Sequence, residues 1–123
     1  MILDWTPAQF PRYASGLEKF DGTPLYERQN PAEAIHPFWG TLLYNYGSPM
    51  VKDFLISNAC FWAEVYHADG LRMDDVDAML YLDYGRNPGE WTPNIYGTNE
   101  NLDALEFLKH LNSVIKERNP DCF

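Results

Sequence analysis

The chain has 123 residues, enough for one domain of ordinary size, and its 46% hydrophobic content lies in the globular range. With 9 basic against 18 acidic residues the formal charge is -9, which repels a phosphate backbone and excludes a basic stripe for nucleic acid. No apolar run approaches the roughly 20 residues of a membrane-spanning helix, and Met1-Ile2-Leu3-Asp4-Trp5 has neither basic leader nor signal core, so a soluble, cytoplasmic protein without a membrane partner is expected.

Residues 1–5 read as a strand: Ile2-Leu3-Asp4-Trp5 is apolar except for Asp4 at its carboxyl end, and Pro7 removes a ladder donor. Residues 6–48 read as one long loop, because Pro11, Gly16, Gly22, Pro24, Pro31, Pro37, Gly40 and Gly47 interrupt every period. Loops of that length are uncommon and tend to be functional. This one holds Phe20, Tyr26, Phe38, Trp39, Tyr44 and Tyr46, placed either to pack on one another or to stack a flat ligand.

A helix is predicted over residues 49–67, opened by Ser48 as N-cap with Pro49 behind it. Val51, Phe54, Leu55, Asn58, Phe61, Trp62 and Val65 form its stripe, and Ile56, Ala59, Cys60 and Ala63 widen it until mainly Lys52, Asp53 and Glu64 are left for water. Asn58 on that stripe requires a hydrogen-bond partner. Ala68-Asp69-Gly70 ends the helix, and residues 70–74 form a second strand running into the acids Asp74, Asp75 and Asp77. Residues 79–99 read as loop, with a short helical turn allowed over 76–82. A final helix over residues 100–118, capped by Asn99, presents Ala104, Leu105, Leu108, Leu111 and Ile115 on one face and stops at Asn119-Pro120.

Cys60 and Cys122 make neither a disulfide framework nor a metal-spaced pair and are expected to be free thiols. His36, His67 and His110 are scattered, so no metal site and no cofactor is expected.

Strand, long loop, helix, strand is the order of an α/β fold with parallel strands. Two such strands with two helices leave sheet edges and apolar surface open, so the chain is expected to be a slice of a larger sheet or barrel with strands missing on both sides. In a parallel barrel the functional residues occupy the carboxyl ends of strands, the places of Asp4 and Asp74. Alternation puts Arg72 and Asp74 on one face, and a neighbouring cation favours the charged carboxylate that a nucleophile requires. The plainer reading of that pair is an Arg-Asp contact that only ties the strand down.

Three runs of residues then bear a likeness to a known family: Ile2-Leu3-Asp4-Trp5-Thr6-Pro7-Ala8, His67-Ala68-Asp69-Gly70-Leu71-Arg72-Met73-Asp74, and Met79-Leu80-Tyr81-Leu82-Asp83-Tyr84. They resemble the α-amylase superfamily and, within it, the bacterial glycogen branching enzymes. The resemblance continues through Phe20-Asp21-Gly22-Thr23, Asn45-Tyr46-Gly47, Glu90-Trp91-Thr92-Pro93-Asn94 and Asn101 to Leu108, spanning nearly the whole chain. It implies a fragment of a (β/α)₈ TIM barrel, about the third strand through the fourth helix, acting on α-glucan such as glycogen. By the same resemblance Asp74 is the nucleophile on the anomeric carbon, and Arg72 and Asp4 position the sugar. A 6-hydroxyl then receives the glucan chain from the covalent intermediate, turning an α-1,4 link into an α-1,6 branch.

The chain departs from the family's pattern in places. Gln9 stands where the family has a sugar-contacting histidine, and an amide hydrogen-bonds without carrying a proton charge. Asp75 and Asp77 stand where it has small or apolar residues. Retaining glycoside chemistry needs a second carboxyl as acid and base, and the family's glutamate for that task belongs to a fifth strand beyond Phe123, so this chain alone is expected to be inactive. The alternatives are a maltooligosyl trehalose trehalohydrolase segment, which shares the Asp-Gly-Leu-Arg-x-Asp strand, and a non-catalytic remnant binding glucan weakly through Trp39, Tyr46 and Trp91. The loop around Tyr81, Tyr84 and Trp91 favours branching.

Overall fold

The computed structural model describes residues 1–13 and 15–123. Strand β1 (Ile2–Trp5) pairs in parallel with β4 (Gly70–Met73), in the register Ile2 to Gly70, Leu3 to Leu71, Asp4 to Arg72 and Trp5 to Met73. Side chains alternate across a strand, so Leu3, Trp5, Leu71 and Met73 share one face and Asp4 and Arg72 the other. The first face takes the helices α2 (Pro49–Glu64) and α4 (Leu102–Arg118), and Trp5 joins Val51, Leu55, Ala59, Ala104, Phe107 and Leu111 in the core. The second face is open, with Ile2, Asp4 and Arg72 exposed.

The excursion between β1 and α2 is more ordered than a loop. Strand β2 (Gln9–Phe10) pairs antiparallel with β3 (Leu42–Leu43), single bridges join Glu27 to Tyr44 and Ile35 to Leu42, and α1 (Pro31–Ala34) starts at Asn30, whose side chain accepts from the Ala32 amide. Two-residue strands leave too short an alternation to be seen in sequence. Half of the segment's aromatics pack inward, while Tyr13, Phe20, Phe38 and Trp39 stay exposed: Tyr26 meets Phe54 of the following helix edge-on at 5.3 Å, and Tyr44 lies 4.8 Å from Phe10. Tyr46 is fully buried, stacked on Phe107 at 5.2 Å, with its hydroxyl donating to the Pro7 carbonyl at 2.6 Å.

Ser48 holds the N-cap position of α2 but its side chain makes no capping bond, so Pro49 supplies the start. The helix ends at Glu64, earlier than the expected residue 67, because the chain turns to a left-handed conformation at His67 (φ 57). Its apolar surface is also less covered than expected: Phe54 and Phe61 are exposed, and the Phe61 ring meets Trp62 and Tyr66 edge-on. Asn58 has its required partners, accepting the indole N–H of Trp5 at 2.8 Å and of Trp62 at 3.3 Å. The cap of α4 is Asn101, which accepts from the Ala104 amide, whereas Asn99 donates to Asp83. Phe107, outside the expected stripe, is the most deeply buried large side chain of that helix. The allowed turn after Asp74 forms as α3 (Val76–Leu80). Both cysteines are free thiols, and burial pushes the Cys60 thiol above its usual range.

On its far edge β4 meets Phe123, whose amide donates to the Asp69 carbonyl at 3.0 Å while its carbonyl accepts the Leu71 amide at 2.7 Å. That alternation is the bonding pattern of a third parallel position. Gly70 makes it possible, since a Cβ there would lie 2.6 Å from the Phe123 carbonyl oxygen. No helix among the described residues is long and apolar enough to cross a membrane.

Asn58→Leu leaves two largely buried indole N–H groups without an acceptor and should cost about 1–3 kcal/mol in urea unfolding, with both tryptophans reporting the change in fluorescence. Burial raises the phenols of Tyr44, to about 12, and of Tyr46, both from an ordinary 10.0. These groups hold their protons longer when folded, so their contribution is intact below pH 10 and declines as pH rises from about 10 through 12. Alkaline unfolding followed by circular dichroism should therefore begin near the lower limit, with Tyr44→Phe reducing the slope.

Candidate active site

The candidate residues gather where β1 and β4 end. Hydrogen-bond register sets Asp4 beside Arg72, and the Asp74 amide prolongs the ladder by donating to the Trp5 carbonyl at 3.0 Å. The Arg72 guanidinium lies between two carboxylates, 3.5 Å from Asp4 and 3.9 Å from Asp74. All three side chains are more than half exposed, so the contact orients charge and adds little stability. A cleft of about 440 Å³ opens along β1, lined by Asp4, Trp5, Thr6, Tyr44, Phe54 and Trp62 and reaching Leu71 of β4.

Behind Asp74 the chain makes a left-handed turn at Asp75 (φ 60), a conformation that Asp tolerates better than most residues. The Asp75 side chain is buried, 7% exposed. One oxygen, Oδ2, accepts both the Gln9 amide at 2.7 Å and the His36 Nε2 at 3.0 Å. The other end of the Gln9 amide accepts from the Thr41 hydroxyl. His36 Nδ1 accepts the backbone N–H groups of Phe38 and Trp39, both at 3.2 Å, which assigns the proton to Nε2 and makes the ring a donor to Asp75. Asp77 stays exposed at the start of α3.

His36 thus belongs to the site, although its sequence position gave no partner by spacing. Its carboxylate lies 39 residues away, and only the fold brings the two together. Arg86 was also without a sequence signal. Its guanidinium donates to the carbonyls of Ala32, Glu33 and Ile35 at 2.8 to 3.1 Å, tying the loop of Tyr84 and Trp91 to the end of α1. Thr92 adds a 2.6 Å bond to Glu33. No cluster of ligands fit to hold a metal ion occurs among the described residues.

An arginine shared by two acids at the carboxyl ends of adjacent parallel strands defines an α/β protein with a polar site at its strand ends. No protein-family model matches the chain. Over its whole length, however, it is homologous to a segment of the 1,4-alpha-glucan branching enzymes. It is 56% identical over 123 residues to the 1,4-alpha-glucan branching enzyme GlgB of Rubrobacter xylanophilus, covering all of this chain and 17% of that protein. With the enzyme of that name from Methylococcus capsulatus it shares 57% over 120 residues, 98% of this chain and 16% of the relative. The GlgB 2 of Rhizobium etli is 58% identical over the same extent. The chain spans about a sixth of the length of the curated relatives it matches.

Asp75→Ala removes the acceptor of two N–H groups and leaves alanine in a left-handed turn, with an expected loss of about 1–3 kcal/mol in thermal or urea unfolding. Asp77→Ala, at an exposed position, should change stability by no more than about 0.5 kcal/mol in the same measurement.

Proposed function

We propose that the chain is a segment of a 1,4-α-glucan branching enzyme, part of a (β/α)₈ barrel from about its third strand to its fourth helix, in which Asp74 is the nucleophile. The observation that carries this reading is the placement of Asp74 at the end of β4, sharing Arg72 with Asp4. The open sheet edges and the parallel bonding of Phe123 against β4 support membership of a larger parallel sheet. The names of the relatives favour branching over the trehalose-releasing alternative.

In the proposed reaction a carboxylate oxygen of Asp74 attacks the anomeric carbon of an α-1,4-linked glucose. The glycosidic carbon–oxygen bond breaks, and the leaving 4-oxygen takes a proton from an acid. A 6-hydroxyl of a second glucan then displaces Asp74, giving its proton to the same group, now a base, and forming the α-1,6 link. Arg72 holds the Asp74 oxygen towards the sugar, and Asp4, on the same guanidinium, binds sugar hydroxyls. Gln9 is the further substrate contact carried by the resemblance: its amide is oriented by Asp75 and Thr41, and a second N–H and a second oxygen lone pair remain for a sugar hydroxyl. Neither Asp4 nor Asp75 is placed as the acid: one shares the nucleophile's cation, and the other is buried behind it. General acid catalysis contributes about 10²–10⁴-fold, and the chain by itself therefore gives no branching.

Purified chain incubated with amylose is expected to form no α-1,6 linkages above a boiled control. Substituted for the matching segment of the Rubrobacter xylanophilus relative, it should support branching, and Asp74→Asn in that chimera should lower the rate on the order of 10⁴-fold or more. A fluorinated glucosyl fluoride that stalls the covalent intermediate should add its mass to the peptide containing Asp74. Labelling elsewhere, with Asp74→Asn still active, would remove Asp74 from the nucleophile's role.

A further inference from the structure

Three of the chain's aromatics invite a reading as sugar platforms, and the fold separates them. Tyr46 is fully buried and its hydroxyl is bonded to Pro7. Trp91 is half-buried in a loop strapped to α1 through Thr92 and Arg86. Trp39 is 63% exposed, although its indole is not loose. It lies nearly parallel to the His36 imidazole, with ring centres 5.0 Å apart and planes 12° from parallel.

The mount under Trp39 is unusually rigid. His36 is 1% exposed and held at both nitrogens, by the Phe38 and Trp39 amides on one side and by Asp75 on the other. Beside it Phe38 meets Tyr84 edge-to-face at 5.5 Å. One face of the indole is therefore backed by a fixed ring, while most of the side chain stands in water. An aromatic ring held in place before binding loses little conformational freedom on contact, and that favours affinity.

We infer that the outward face of Trp39 is a stacking subsite for a glucose ring of an α-glucan chain, with Asp75 as the positioning residue that holds it through His36. This rests on the reading that the substrate is an α-glucan. The apolar C–H face of a glucopyranose is flat and uncharged and matches an indole face, whereas a net charge of -9 disfavours an anionic ligand. Asp75 directly follows Asp74 in the chain, so one turn of backbone fixes both the candidate nucleophile and the mount of the platform. A glucan laid over Trp39 would then be registered against Asp74 by the protein's own buried bonds.

Affinity electrophoresis of this chain in gels with and without amylose tests the proposal, with near-ultraviolet circular dichroism confirming that each variant is folded. The wild-type chain should be retarded by amylose and show saturation transfer to maltoheptaose in NMR. Trp39→Ala should abolish both, Trp39→Phe should retain part of the retardation, and Trp91→Phe should behave as wild type. Asp75→Ala should weaken retardation several-fold, and Asp75→Asn, whose carbonyl oxygen can accept both N–H groups, should restore it. Should Trp39→Ala be misfolded, the graded response of Trp39→Phe decides. A folded wild-type chain that amylose does not retard, or a Trp39→Ala or Trp39→Phe variant retarded as strongly as wild type, overturns the subsite. Retardation weakened by Trp91→Phe instead does the same. Labelling of Asp74 in the chimera is independent of these outcomes: labelling without Trp39-dependent binding sinks the subsite alone, and Trp39-dependent binding without labelling sinks the nucleophile alone.

Discussion

The parallel pairing of β1 with β4 is the constraint on which the rest depends. Antiparallel strands can be closed by a two-residue turn, but parallel strands require the chain to travel back over the sheet before it can pair again. Here the return path runs from Thr6 to Asp69 and includes much of what surrounds the site: the small β2–β3 ladder, α1, the aromatic segment and α2. Because the path leaves β1 at its carboxyl end, the residues of its first part, His36 among them, are delivered to the same end of the sheet as Asp4 and Asp74, and α2 then carries the chain back to the amino end of β4. The register then aligns Asp4 with Arg72, and a single guanidinium can serve two acids.

A second layer of order comes from polar groups buried behind that site. Asn58 satisfies two tryptophans across the β1–α2 interface, Tyr46 ties Pro7 to α4 through Phe107, and Asp75 gathers Gln9 and His36. Each links segments far apart in sequence, and each would be costly to leave unsatisfied. Such groups specify how the long excursion lies on the sheet, a task for which its scattered apolar residues are poorly suited.

The parts legible in the sequence were those with a period or a stop signal. The two strands and the two long helices follow from apolar runs, from Pro7 and from Pro49, and Asn58 declared its need for a partner by standing on a buried stripe. The β2–β3 ladder is too short for alternation to register, and the side chain of Asn101, the true cap, is chemically the same as that of Asn99 two positions earlier, so composition alone does not separate them. His36, Asp75 and Arg86 were illegible for a different reason. Their partners are 39 to 66 residues distant, or are backbone carbonyls, which leave no trace in composition or spacing. Resemblance supplied Asp74, Arg72 and Asp4 by motif, but it presented Gln9 and Asp75 as two separate departures.

The bond between those two side chains joins the departures into one. Gln9 donates to the same oxygen of Asp75 that receives His36, so the identity of either residue conditions what the other position tolerates. Truncating Gln9 leaves the acid with His36 alone among its two donors, whereas truncating Asp75 leaves the Gln9 amide and the His36 ring without their common acceptor, so the two positions are coupled and substitutions there do not add.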